Sequence, residues 1–161
     1  MSDQDDLFFL YRRAPQTGQH RNRNKDSAMT GETNLGILLS SLSPRLNPGR
    51  FVFCCVAQSS VVQMAAAIGS FREAEGTTLI LAREEAERLG LAYDYVAAWI
   101  TLEVHSSLAA VGLTAAFAKA LAGEGISCNV IAGYHHDHLF VAEADAERAL
   151  AALQQLAAEQ R

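Results

Sequence analysis

The chain contains 161 residues, with 13 Lys and Arg against 18 Asp and Glu, so its formal net charge is −5. Half of the residues are apolar, which is enough for a packed core and excludes a wholly disordered chain. The acidic balance argues against nucleic-acid partners, and no apolar run reaches the ~20 residues of a membrane-spanning helix. Three cysteines, two of them adjacent at Cys54 and Cys55, imply no disulfide framework and favour a cytoplasmic location.

The first 28 residues differ from the rest of the chain. They mix basic and acidic side chains, and the stretch 16–27 has almost nothing apolar to bury. Such a segment cannot offset the entropy lost on ordering, so residues 1–28 are predicted to be a disordered tail. Met29 follows the tail and is an alternative candidate for the first residue of the natural chain.

The next segments predict helices and strands in alternation. Asn34 is typical of a helix N-cap, and the apolar stripe that follows it comprises Leu35, Leu38, Leu39 and Leu42. A turn region with Pro44, Asn47, Pro48 and Gly49 ends this helix. Extended segments are predicted at residues 51–57, 71–74 and 77–81, and a short helix at residues 83–89 ends before Gly90.

The second half of the chain gives a strand–helix–strand–strand–helix order. The predicted strands are residues 99–104, 127–132 and 138–142, and the predicted helices are residues 106–122 and 143–158. This order is the split βαβ plan of a ferredoxin-like α+β fold. A four-stranded antiparallel sheet of this kind needs one more strand, which either the N-terminal half or a partner chain could supply.

A faint internal repeat supports a duplicated unit. The residues Leu79–Ala82 and Ala86–Arg88 match Leu139–Ala142 and Ala146–Arg148 at a spacing of sixty, and both copies are a strand that runs into a helix. We therefore predict two tandem units, residues 29–95 and residues 96–161.

Five segments carry a resemblance to a known family: residues 51–56 and 71–76 in the first half, and residues 105–108, 111–114 and 125–141 in the second. They resemble the ACT domains of regulatory aspartokinases and of the CASTOR arginine sensors, and small stand-alone bacterial ACT-domain proteins are the more similar group. The resemblance implies two tandem ACT-like βαββαβ units with antiparallel sheets and helices on one face. It also implies an amino acid or similar small effector bound at a domain or subunit interface, and a homodimer or higher homo-oligomer.

The predicted ligand site lies where the strand at residues 99–104 enters the next helix. Free backbone N–H groups at the start of a helix suit a small carboxylate. Carried over by the resemblance, the candidate residues are His105, Ser106, Ser107, Val111, Gly112, Leu113 and Thr114, with Asn129, Val130 and Ile131 opposite. An alternative interpretation is structural: Ser106 and Ser107 cap the helix, and Gly112 permits close packing.

Four consecutive residues raise a metal hypothesis. His135, His136, Asp137 and His138 carry groups that suit zinc or nickel, although alternation along an extended segment lets at most two of them share a site. No catalytic constellation and no cofactor motif is present in the sequence. Three hypotheses remain: a non-catalytic amino-acid sensor, a scaffolding homodimer without a small ligand, and a His-rich metal-binding protein.

Overall fold

The structure is a computed structural model, and it describes residues 31–161. The predicted tail and the alternative start at Met29 lie outside this part of the chain. The helices are α1 (Leu35–Ser40), α2 (Val61–Ala66), α3 (Arg83–Arg88), α4 (Leu113–Gly123) and α5 (Ala146–Ala158), the last preceded by a 3-10 turn, Glu143–Asp145. The strands are β1 (Ser43–Leu46), β2 (Phe51–Val56), β3 (Gly69–Arg72), β4 (Thr77–Ala82), β5 (Val96–Glu103), β6 (Asn129–Ala132) and β7 (Asp137–Ala142).

The seven strands form one antiparallel sheet in the order β3-β4-β2-β5-β7-β6, with β1 lying along β5. Side chains of alternating residues point to opposite faces of this sheet. On one face Val52 and Leu81 pack with Ala86 of α3. On the other face the core cluster around Phe51 and Phe140 contains no helical residue. The helices of the described chain therefore cover one face, as the predicted ferredoxin-like fold requires.

The fourth strand of the C-terminal unit comes from the N-terminal half of the chain. Strand β1 pairs with the end of β5, from Ser43 opposite Glu103 to Leu46 opposite Ile100. The beginning of β5 pairs with β2, since Phe51 lies opposite Ala97 and Val52 opposite Val96. Strand β5 thus pairs with strands of both units. The additional strand of the C-terminal sheet comes from the N-terminal half of the same chain and not from a partner chain.

Helix α1 packs in the core of the C-terminal unit. Leu38 and Leu42 are fully or almost fully buried, in one cluster with Phe117 of α4 and Leu153 of α5. The division into residues 29–95 and 96–161 stays a prediction, but α1 and β1, which precede the boundary, pack with elements that follow it.

Two local predictions are confirmed by the helix ends. The Asn34 side chain accepts a hydrogen bond from the backbone N–H of Ile37 at 3.2 Å, which satisfies one of the free donors of α1. Gly90 follows the last turn of α3 with φ at +64°, a conformation that glycine adopts without a steric penalty.

The predicted helix start at Ser106 is wrong, since α4 begins at Leu113. The backbone before it is held by residue Glu32, whose N–H donates to the carbonyl of His105 and whose carbonyl accepts from the N–H of Ser107, both at 2.9 Å. Gly112 then has φ at +99°, which interrupts a right-handed helix. Pro44 also departs from the prediction, because it lies within β1 and not in the turn, at a strand with a neighbour on one side only.

Candidate functional site

A small cleft lies between the loop after β5, the start of α4 and the β6–β7 hairpin. Its volume is about 80 Å³. The residues that line it are Ser106, Ser107, Leu108, Ala110, Leu113, Thr114, Ala132 and Asp137. It forms at this end of the sheet because the register places Asp137 opposite both Leu102 of β5 and Ala132 of β6.

One wall of the cleft is a helix start without a side-chain cap. The N-cap residue of α4 is Gly112. The first hydrogen bond within the helix runs from the N–H of Ala116 to the carbonyl of Gly112 at 2.9 Å. The N–H groups of residues 113–115 therefore find no acceptor in the described part of the chain. These donors and the helix dipole make the wall favourable for an anion.

The corresponding helix of the N-terminal unit is capped by its own side chains. Ser60 Oγ accepts from the N–H of Gln63 at 3.2 Å, and Gln63 Oε1 accepts from the N–H of Ser60 at 2.8 Å. This capping box satisfies donors that α4 leaves free. The two units thus differ at equivalent positions, because the start of α2 has a side-chain cap and the start of α4 has none.

The opposite wall carries a buried carboxylate. Asp137 is only 9% exposed, and its side chain makes no hydrogen bond or ion pair with any residue between 31 and 161. Burial raises the pKa of the Asp137 carboxyl, and the neighbouring His138 and His136 imidazoles oppose this shift. The carboxylate oxygens themselves are open to the cleft, because the buried side-chain atoms without a hydrogen-bond partner in residues 31–161 are Tyr95 Oη and His136 Nδ1.

The structure brings some of the predicted ligand residues together. Ser106, Ser107, Leu113 and Thr114 line the cleft, and Gly112 caps the helix at its wall. His105 and Val111 are exposed beside it, with Val111 84% accessible. Their binding role stays a prediction.

The three predicted residues of β6 extend away from the cleft. Asn129 lies opposite Phe140, at the far end of β6 from Ala132, and its amide reaches the Phe140 carbonyl at 3.5 Å. Val130 and Ile131 lie between these ends, opposite Leu139 and His138. Ala132 is the β6 residue that lines the cleft.

Sequence reasoning considered Asp137 only as a weak metal ligand. Asp137 is the first residue of β7 and shares a sheet face with buried Leu139 and Val141, but the predicted strand began at residue 138 and left Asp137 outside it. Ala110 and Ala132 carried no sequence signal, since small side chains line a cleft only through the tertiary contacts around them.

The histidines point to separate partners. His135 stacks on His105 with ring centroids 6.1 Å apart, and His138 accepts a hydrogen bond from Trp99. His136 Nδ1 is buried without a hydrogen-bond partner. Within residues 31–161 no three His, Cys, Asp or Glu side chains are grouped closely enough to hold a metal ion, so the metal hypothesis has no ligand set there.

Two of the three cysteines are unsuited to act as nucleophiles. Burial raises the pKa of the Cys128 thiol to about 11 and also raises the pKa of Cys54, which keeps both thiols protonated. Cys55 is exposed because it alternates faces with buried Cys54 on β2. Residues 31–161 contain no helix long and apolar enough to cross a membrane.

Replacing Gly112 by Ala is expected to destabilise the fold by about 1–2 kcal/mol, because an alanine at a φ of +99° is strained. A Cβ at this position would also lie 3.0 Å from Cδ2 of Leu35. Gly123→Ala is the matched control: the space around Gly123 is open, and alanine is the better helix former by up to about 1 kcal/mol. Thermal unfolding should show a lower Tm for Gly112→Ala and a higher Tm for Gly123→Ala. Equal losses of Tm in both variants would contradict the role of the Gly112 conformation.

Two ferredoxin-like units that share one antiparallel sheet define the class: this is a tandem α+β domain protein. Models of the ACT domain match residues 30–98 and residues 95–155. The chain belongs to the ACT-domain family and carries two ACT domains in tandem. Domains of this family are typically regulatory and bind small ligands.

Solved structures support the assignment. A protein of unknown function from Vibrio cholerae, described as a possible transport protein, is 50% identical, with a TM-score of 0.70 over 76% of this chain and 95% of that one. An Agobacterium tumefaciens protein is 16% identical, with a TM-score of 0.56 over 72% of this chain and 89% of its own. The ligand-free regulatory subunit of aspartate kinase from Thermus thermophilus is 11% identical, with a TM-score of 0.54 over 70% of this chain and 95% of that one. The last two show the fold alone, and a search of the curated proteins returns no match.

Proposed function

We propose that this protein is a non-catalytic regulatory protein whose C-terminal cleft binds a free amino acid. The observation that carries the proposal is the buried carboxylate of Asp137, which has no partner between residues 31 and 161 and lines the same cleft as the uncapped start of α4. An α-amino acid presents one cationic and one anionic group on neighbouring atoms. Asp137 would bind its ammonium group, and the free N–H groups of residues 113–115 would bind its carboxylate.

The size of the cleft indicates which part of the ligand it holds. The cleft is small, with a volume of about 80 Å³. The charged end of an amino acid fits this space, and its side chain would extend past the rim. Leu108, Val111 and Tyr134 are large apolar residues exposed around that rim. A second copy of the chain that covers them would enclose the ligand at a homodimer interface, and the free cysteines favour a cytoplasmic setting.

A thermal-shift screen of the full chain with the twenty common amino acids at pH 7.0 tests the proposal. A ligand at a hundred times its Kd adds about 2.7 kcal/mol, which raises Tm by several degrees. Ala132→Trp, which fills the cleft, should abolish the shift, whereas Ala122→Trp, on the exposed side of α4, should preserve it.

Two results would contradict the proposal. Unchanged binding in Ala132→Trp would place the ligand elsewhere in the molecule. A flat screen combined with a stable dimer would instead favour the scaffolding homodimer. That second candidate is supported by the exposed apolar side chains of α2, the edge strand β3 and the loop between them, namely Val61, Val62, Met64, Ile68 and Phe71.

A further inference from the structure

The imidazole of His138 is held in one protonation state by its neighbours. Trp99 Nε1 donates to His138 Nδ1 at 3.1 Å, and Thr101 Oγ1 lies 3.3 Å from the same nitrogen. An indole N–H can only donate a hydrogen bond, so Nδ1 must be unprotonated to accept it. The neutral imidazole therefore carries its proton on Nε2.

The hydrogen bonds around His138 join β7 and β5 to the turn after β1. Thr101 is 2% exposed, and its hydroxyl accepts from the side-chain amide of buried Asn47 at 2.9 Å. On the other side of the ring, a Cβ built on Gly133 would lie 3.1 Å from His138 Nε2. The ring thus fills the space between Trp99 and the hairpin whose ends, Ala132 and Asp137, line the ligand cleft.

We infer that His138 makes the C-terminal cleft sensitive to pH: protonation of Nδ1 breaks the bond from Trp99, displaces the ring against the hairpin and weakens amino-acid binding at Asp137. This inference rests on the proposed function for its ligand. His138 and Asp137 point to opposite faces of β7, but the new cation would still lie on the residue next to Asp137, where its charge weakens the attraction between the carboxylate and an ammonium group.

The charged and titratable groups around His138 decide how its pKa shifts and therefore how the stability of the fold depends on pH. Burial lowers the pKa of the His138 imidazole, and nearby His136 and Arg45 lower it further, while Asp137 opposes them. Glu103 of β5 pairs with Arg45 at 2.5 Å, and β6 contributes apolar Ile131 opposite His138. The folded chain therefore binds fewer protons here than the unfolded chain, so stability is lost as pH falls below about 6.5.

Trp99 is the only tryptophan of the chain, so its fluorescence reports directly on its hydrogen bond to His138. We expect its fluorescence in the full chain to show one transition between pH 7.0 and pH 5.0, because a protonated imidazole quenches indole emission and the bond is lost. His138→Asn keeps an acceptor near the Nδ1 position without titrating, so it should remove the transition. His135→Asn, which changes an exposed histidine of the same hairpin, should retain it.

The coupling to binding is measured by thermal shift with a mixture of the twenty common amino acids at pH 7.0 and pH 5.5. The apparent affinity should fall at the lower pH, by less than the roughly tenfold that an imidazole with an unshifted pKa would give, and His138→Asn should abolish this fall. A transition or fall that persists in His138→Asn would overturn the inference and assign the effect to another group. Equal binding at both pH values would overturn this inference alone, whereas no binding at either pH would overturn the proposed function as well.

Discussion

Replacing Asp137 by Asn is expected to stabilise the fold at neutral pH and to remove amino-acid binding. The pKa of this carboxyl is raised in the folded protein by burial, so the folded state disfavours its charge. Its contribution to stability is present below the unfolded pKa of 3.8 and is lost as pH rises through the folded value. The uncharged amide avoids this loss, and we expect a gain of roughly 0.5–2 kcal/mol at pH 7, the range of common stabilising changes.

Binding should respond in the opposite direction. Truncating one partner of a buried charge pair costs about 2–5 kcal/mol, which is at least about a thirtyfold loss of affinity. Urea unfolding at pH 7.0 and pH 3.5, with amino-acid titrations at pH 7.0, measures both effects. The stability gain should be absent at the lower pH, where the wild-type carboxyl is already protonated.

Asp94→Asn is the matched control, because Asp94 is exposed and should leave stability and affinity unchanged. A variant Asp137→Asn that is less stable than the wild type at pH 7.0 would contradict the prediction. That result would mean that the carboxylate has a structural partner in the native protein, and the cleft would lose its main argument for a ligand.

Replacing Leu38 by Ala is expected to destabilise the C-terminal unit by about 2–5 kcal/mol, although the residue lies far before that unit in the sequence. Leu38 has no exposed surface and belongs to the same core cluster as Phe117 and Leu153. A loss of this size is a large part of the 5–15 kcal/mol that stabilises an ordinary domain. Chemical unfolding should show the loss, and hydrogen exchange should show weaker protection in α4 and α5.

Ile37→Ala is the control for this prediction, since Ile37 is the neighbouring residue of α1 and is 52% exposed. We expect it to change stability by about 0.5 kcal/mol or less. Equal effects from the two substitutions, or a loss in Leu38→Ala that leaves exchange in α4 and α5 unchanged, would contradict the placement of α1 in the C-terminal core.

Part of the candidate site could be predicted from the sequence. Ser106, Ser107, Leu113 and Thr114 were identified and do line the cleft. The donors were placed at the wrong residues, however, because the helix was started at Ser106. Glu32 holds residues 105–107 through backbone bonds, and no local pattern around Ser106 encodes a contact with a segment more than seventy residues earlier.

The sequence by itself determined most of the local elements and their order. The cap at Asn34 and the glycine at the end of α3 act within a few residues, so they are readable from the chain. The tertiary structure decided where the fourth strands come from, which helix start stays uncapped and that Asp137 is buried. These outcomes depend on pairings such as Ser43 with Glu103 and Leu102 with Asp137, whose energy exists only once distant segments have closed on each other.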